Sequence, residues 1–299
     1  MVGQALKKVT PQKDTYFLSS ADADLRSWEE TQKIFQLYQP THVYHLAARV
    51  GGIEDNKTHL GDFYRDNILL NTNVLECCRQ HKVIKAISLL STCVFPDKVT
   101  YPLTETQVHE GEPHNTNFGY AYAKRMLDVQ SRAYRQQYGC NFITAIPNNL
   151  YGYHDNFHLE KSHVIPALIR KIYEARHANH PSVEVWGDGK PLREFTFSED
   201  VANVLTFLMK EYNDPYPINI GNTNETPIKA VVELLCHILD YRGEIVWNTK
   251  RPSGQHRKPS SNEKLRRLGW KEEGYTTLES GLKKTCEWFI MNYPKIRGV

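Results

Sequence analysis

The chain has 299 residues, 40% apolar and 24% charged, with a net charge of +3, a composition that buries an ordinary core without staples. No basic run stands out, so no nucleic-acid partner is expected, and no apolar stretch approaches the roughly 20 residues of a membrane span, so no membrane association is expected either. Cys77, Cys78, Cys93, Cys140, Cys236 and Cys286 lack metal-binding spacing and read as free thiols; with no apolar signal core in Met1 to Lys8, the expected setting is a reducing cytoplasm.

Val2 onward reads as a helix, Thr15–Leu18 as a strand, and Ser27 through Tyr38 as a helix with Ser27 and Glu30 in capping-box spacing. Val43–Leu46 is the next strand, followed by a long helical stretch from Phe63 to Arg79. Val83–Leu90 is a buried strand, apolar apart from Lys85 and Ser88. Phe118–Tyr138 is helical and stopped by Gly139, and Phe142–Ile146 is a strand stopped by Pro147. Strand–helix alternation of this kind predicts an α/β fold, a doubly wound parallel sheet of the Rossmann type.

Past Asn149 the pattern loosens. Val164–Ala175, Val201–Lys210, Ala230–Leu239 and Thr277–Tyr293 read as helices, the last with Thr276 and Glu279 in capping-box spacing; Val183–Trp186 reads as a short strand. This predicts a smaller C-terminal α/β lobe folded over the carboxyl edge of the sheet, where ligands bind in such folds. Residues 1–150 form the expected dinucleotide-binding domain, with 194–222 returning to it. The segments 151–193 and 223–299 form the expected substrate lobe.

Three motifs in the first half belong together: His45-Leu46-Ala47-Ala48 and Leu89-Leu90-Ser91-Thr92-Cys93 each end a strand, and Tyr120 with Lys124 opens a helix. Residues at i and i+4 project from one helical face. A neighbouring ammonium favours the phenolate and lowers a tyrosine pKa, and Ser91 stands where it can bond the same substrate oxygen. The set makes a proton relay for reducing a carbonyl. A lone YxxxK pair is a common accident; the ordered set is not.

These motifs are similar to those of the extended short-chain dehydrogenases/reductases, and more finely to the GDP-L-fucose synthase family. The finer likeness rests on His45–Gly52, Ser91–Asp97, Asn117–Lys124, Pro147–His163, Val185–Phe195 and Gly254–Lys258, and runs over essentially the whole chain. Its most specific stretches are His154-Asp155-Asn156-Phe157 and Ser162-His163-Val164-Ile165-Pro166.

The resemblance implies conversion of GDP-4-keto-6-deoxy-D-mannose to GDP-L-fucose, by inversion at carbons 3 and 5 and reduction of carbon 4 with NADP(H). It implies catalysis by Ser91, Tyr120 and Lys124 for the reduction, with Cys93 and His163 as the acid–base pair of the inversions. Alone, Cys93 reads as a small buried hydrophobe and His163 as a helix-start cap or surface residue. Thr92 and Cys93 stand where sugar-nucleotide dehydratases carry an Asp-Glu pair, which disfavours elimination of water.

The cofactor would be lined by Gly3, Ser19, Ser20, Asp24, Leu25, Ala47, Ala48, Leu89, Leu90, Tyr120, Lys124, Pro147, Asn148, Asn149, Leu150 and His163. Lys171, Trp186, Arg193 and Lys258 would contact the nucleotide sugar, cations for the diphosphate and an indole for a flat face. Ser253 stands where the family commonly has aspartate, Asn148 where it has threonine and Tyr153 where it has proline. A homodimer built on helices near 61–80 and 118–138 is also implied. His154, His158 and His163 do not form a convincing zinc set, and no metal is expected.

A glycine-rich turn of the GxxGxxG kind should precede the first helix. Gly3 matches its last glycine, and the strand and earlier glycines do not appear in the sequence. Two expectations follow: a shortened record of a working enzyme, or a product with crippled cofactor binding that serves as a binding or regulatory subunit. Leu18-Ser19-Ser20-Ala21 carries no immediate acidic residue to repel a 2′-phosphate, which favours NADP over NAD.

Overall fold

The computed structural model describes residues 1–11, 13–251 and 256–299. Gly254, which opens one of the stretches that carry the resemblance, and Ser253, where the family commonly has aspartate, lie outside the described residues. Over the first half, helices α1 (Val2–Val9) and α2 (Trp28–Tyr38) precede strand β1 (His42–His45). Helices α3 (Ile53–Thr58) and α4 (Leu60–Gln80) lead to β2 (Lys85–Leu89), and α5 (Phe118–Tyr138) leads to β3 (Phe142–Pro147). Next come β4 (Asn149–Tyr151), α6 (Val164–His177), β5 (Ser182–Trp186), β6 (Leu192–Phe197), α7 (Ser198–Glu211) and β7 (Ile218–Ile220). The chain ends with β8 (Glu225–Pro227), α8 (Ile228–Ile238), β9 (Glu244–Asn248), α9 (Glu263–Arg267) and α10 (Leu278–Asn292).

Strands β1, β2, β3 and β7 form one parallel sheet in that order. Successive side chains of a strand point to opposite faces, and both faces here are covered. Ile87, Leu89, Ile143 and Ala145 pack with Ala5 and Leu6 of α1 and Val201, Leu205 and Leu208 of α7. Ala86, Phe142 and Ile146 pack the other way, against Phe35 of α2, Val74 and Leu75 of α4 and Leu127 of α5. Fully burying one such large side chain contributes roughly 1.5–3 kcal/mol. Lys85, the charged residue in this apolar strand, donates from Nζ to the Leu208 carbonyl at 2.9 Å. This is the α/β parallel-sheet class expected of the sequence.

The second lobe is centred on Tyr151, Phe157, Ile169, Phe195, Phe197, Val231, Leu282 and Phe289. Two small sheets carry it, β4-β6-β8 and β5-β9. The core contacts blur the division drawn from sequence: Phe195 and Phe197 serve the second lobe, whereas Leu265, Leu268, Trp270 and Tyr275 pack with the first.

Three local expectations are corrected. Thr15–Leu18 is not a strand; a strand exists through its ladder, and among the described residues none pairs with it. Ser27 does accept from the Glu30 N–H at 3.3 Å, but the Glu30 carboxylate turns to the Asp24 N–H at 2.7 Å, so the box is half formed. Thr276 does not cap α10. Thr277 does, accepting from the Ser280 N–H, while Thr276 binds the Asp200 carboxylate through its N–H at 2.8 Å and its hydroxyl at 3.0 Å.

Candidate active site

The carboxyl ends of β2 and β3, the start of α5 and the start of α6 surround one cavity of about 610 Å³ between the lobes. The N-terminus of α1 opens onto it through Met1, Val2 and Gly3. Ser91, Cys93, Tyr120, Lys124 and His163 all line it. The five side chains expected to do chemistry therefore share one space.

Each is placed by local structure. Beyond the end of β2 the chain enters a 3-10 turn at Thr92–Val94, capped by Ser91, whose Oγ accepts from the Cys93 N–H at 3.4 Å. Thr92 and Val94 are buried while Cys93 is half-buried, and both Thr92 and Cys93 line the cavity. Tyr120 lies in the first turn of α5 beside Gly119, where a Cβ would run into the Leu60 carbonyl of α4. Its ring meets Phe63 edge-on at 6.4 Å between centroids. One turn on, Lys124 Nζ donates to the Leu89 carbonyl at 2.8 Å and lies 6.0 Å from the Tyr120 ring centroid.

The electrostatics differ from the sequence expectation. Burial raises the Tyr120 phenol well above the ordinary tyrosine range, the neighbouring Cys93 adds to this, and a hydrogen bond with Ser91 opposes it. Burial also brings Lys124 down to about 7. Desolvation of both groups outweighs the ammonium's pull on the phenol. A phenol held protonated in this way is suited to donate a proton. Behind the pair, buried His45 shares a hydrogen bond of 2.9 Å with Asn71 Oδ1. Burial, and then the Lys124 ammonium, lower its pKa to about 4, so the imidazole stays neutral.

His163 occupies the cap position of α6 yet makes no side-chain capping bond, which leaves its exposed imidazole to the cavity. Its loop is tied across the cleft: the Gly52 N–H donates to the Lys161 carbonyl at 3.0 Å, and a Cβ at Gly52 would stand 2.9 Å from the Ser162 carbonyl. Asp155, 8% exposed, lines the same wall. Burial raises its pKa, while His163, the Asn156 N–H and Arg297 favour its charged form.

Toward the outer end, Lys171 and Arg193 line the cavity with Trp186. Trp186 is flanked by Lys171 Nζ, 5.3 Å from its centroid, and by Arg251 Cζ at 5.0 Å. Burial lowers the pKa of both Lys171 and Arg193.

Of the residues expected around a cofactor, Gly3, Ala48, Leu89, Leu90, Pro147, Asn148, Asn149 and Leu150 line the cavity. Ser19, Ser20, Asp24, Leu25 and Ala47 do not. Ser19 instead binds Asp22 Oδ2 through its N–H at 2.7 Å and its hydroxyl at 2.8 Å. Asp24 pairs with Arg26, and Leu25 packs on the first lobe's core. Lys258 also lies outside the lining; its Nζ donates to the Thr92 carbonyl at 3.2 Å. His154 rests on the Trp288 ring, and His158 Nδ1 accepts from the Glu160 and Lys161 N–H groups, each at 3.2 Å.

Sequence reasoning missed Asn117, Asp155, Arg251 and Arg297. Asp155 lay inside the most specific stretch of the resemblance, a usable signal. Arg297 reaches the cavity through tertiary packing near the chain's end, which no local pattern announces.

Fold and site together give a parallel α/β protein with Ser91, Tyr120 and Lys124 on one cavity beside a thiol and an imidazole. The model of the NAD dependent epimerase/dehydratase family matches residues 4–221. A GDP-L-fucose synthase of Dictyostelium discoideum is 43% identical, over 99% of this chain and 94% of its own length. A probable GDP-L-fucose synthase of Drosophila melanogaster is 38% identical, over 99% and 96%. The crystal structure of a GDP-L-fucose synthetase from Naegleria fowleri bound to NADP superposes with a TM-score of 0.92 at 39% identity, covering 99% of this chain and 92% of that one. The chain belongs to the NAD dependent epimerase/dehydratase family, in its GDP-L-fucose synthase branch.

Proposed function

We propose that this protein converts GDP-4-keto-6-deoxy-D-mannose to GDP-L-fucose with NADPH as reductant. The observation that carries the reading is the meeting of Cys93, His163 and the buried Tyr120–Lys124 pair on one cavity. Its support is the near full-length likeness to GDP-L-fucose synthases.

A dinucleotide phosphate fits the residues present. A helix N-terminus with free N–H groups faces the cavity, the favoured place for a pyrophosphate. A Cβ at Gly3 would meet only Leu46 Cδ1, at 3.9 Å, so the approach is open. Ala48, Leu89, Leu90 and Pro147–Leu150 would hold the remainder, and the Lys124 ammonium its ribose. When bound, NADPH supplies the hydride for carbon 4.

Protons beside a ketone are acidic because the enolate spreads its charge onto the carbonyl oxygen. Cys93 and His163 serve as the two partners of each inversion, one removing a proton from carbon 3 or 5 and the other returning one to the opposite face. Tyr120, protonated and bonded to Ser91, stabilises the charge on the C4 oxygen and gives it its proton during reduction. Lys171 and Arg193 bind the diphosphate, and Trp186 offers a flat face to the nucleotide. Lys258, outside the cavity lining, adjoins the site through its bond to the Thr92 carbonyl.

Exposed Tyr64 and Leu69 on α4 and Phe118 and Val129 on α5 give those helices an apolar outer face. This supports a homodimer formed there. Among the described residues no helix is long and apolar enough to cross a membrane, in keeping with a cytoplasmic enzyme.

The test is direct. NADPH is titrated into the purified chain by fluorescence, and turnover of GDP-4-keto-6-deoxy-D-mannose is followed by NADPH oxidation and product NMR. Saturable binding and GDP-L-fucose formation are expected. Absence of NADPH binding at physiological concentration would instead leave a silent reductase-like binding subunit.

A further inference from the structure

A three-residue 3-10 turn has little of its own to fix a side chain, yet Cys93 must meet a carbon atom. The backbone on each side of the thiol is held from a different part of the chain. On one side, Arg125 of α5 donates from Nε to the Val94 carbonyl at 2.5 Å and from Nη1 to the Gly111 carbonyl at 2.7 Å. On the other, Lys258 donates from Nζ to the Thr92 carbonyl. Arg125 is 3% exposed, and its Nη2 has no hydrogen-bond partner among the described residues. Burying a guanidinium against neutral carbonyls and the Tyr122 ring, whose centroid lies 5.3 Å from its Cζ, is a poor source of stability. Its yield is geometric: Arg125 follows Lys124 in sequence, so the element that aims the phenol also grips the turn that carries the thiol.

We infer that Arg125 and Lys258 are positioning residues that hold the Thr92–Val94 turn from its two ends and so aim the Cys93 thiol at the sugar ring. The inference rests on the proposed role of Cys93 in epimerisation. It gives Lys258 a part that the cavity-lining cations Lys171 and Arg193 do not have, since its ammonium donates to the turn.

The experiment separates the two half-reactions. Exchange of solvent deuterium into carbons 3 and 5 reports epimerisation, and NADPH oxidation with the already epimerised ketone reports reduction. Arg125→Met, Arg125→Lys and Lys258→Met are compared with Cys93→Ser. A reacting group displaced by about 1 Å loses on the order of 100-fold in rate, so exchange in Arg125→Met should fall by about tenfold to 100-fold while reduction stays near its starting rate. Arg125→Lys should recover part of the exchange, and Lys258→Met should shift the balance in the same direction. If Arg125→Met does not fold, Lys258→Met and Arg125→Lys carry the same comparison. Equal losses in both half-reactions, or undiminished exchange, would overturn the clamp. If Cys93→Ser itself slowed both half-reactions equally, the assignment of the thiol would fall first, and the clamp with it.

Discussion

Lys124 and Leu89 are joined by a hydrogen bond of 2.8 Å from ammonium to carbonyl, which locks the start of α5 onto the end of β2. The bond is made in a buried setting that brings the lysine down to about 7. A buried acceptor left without its donor costs about 1–3 kcal/mol. Lys124→Met should therefore lower the melting temperature as well as slow reduction of the epimerised ketone, by at least about 100-fold where transition-state charge is involved. Stopped-flow NADPH oxidation and calorimetry check both.

The same lysine sets a pH dependence. Its folded pKa lies below its unfolded value of about 10.4, so the folded state resists taking up the proton. The cost is fully present below about 7 and vanishes above about 10, a contribution of order a few kcal/mol at about 1.4 kcal/mol per unit. Ligand-free protein should gain stability across that interval, and Lys124→Met should flatten the gain. Over the same interval reduction should decline as the ammonium is lost. An unchanged slope in the variant would disprove the link.

Cys93→Ser should slow deuterium exchange into the sugar far more than reduction of the epimerised ketone, since the role proposed for the thiol is confined to the inversions. His163→Gln should do likewise. Product NMR should then show singly inverted or uninverted sugars.

Gly119→Ala should destabilise the fold without touching a reacting group. Its Cβ would collide with the Leu60 carbonyl and stand 3.5 Å from Tyr64 Cβ. Forcing a methyl into such a contact costs about 1–3 kcal/mol, read as a lowered midpoint in thermal denaturation.

Trp186→Ala should raise KM for the GDP-sugar about tenfold, in keeping with the loss of an aromatic face worth roughly 0.5–2 kcal/mol in a cationic setting. The value of kcat should change little.

Much of this was legible because strands and helices announce themselves by period. Phe118–Tyr138 was bounded by its Gly139 stop, which adopts the left-handed conformation at φ 72°, and the Tyr120–Lys124 spacing followed from that helix alone. The Thr15–Leu18 segment was misread because its composition suits a strand while its pairing depends on a distant neighbour. The direction of the Tyr120 shift was also misread. Sequence names the ammonium beside it, but only packing reveals that both groups are dry. Lys258 was placed with the diphosphate cations by motif, and its inward turn to Thr92 is a tertiary fact.

Between Pro147, the last residue of β3, and Asn149, the first of β4, stands a single residue, Asn148. Its side chain is anchored by Thr196 Oγ1 and by the Asn222 carbonyl. A chain that passes from one sheet to the other in one step has no slack to act as a hinge. The floor of the cleft is thus a taut crossing between two sheets, whereas Gly52 and Lys161 join across it through a single backbone bond.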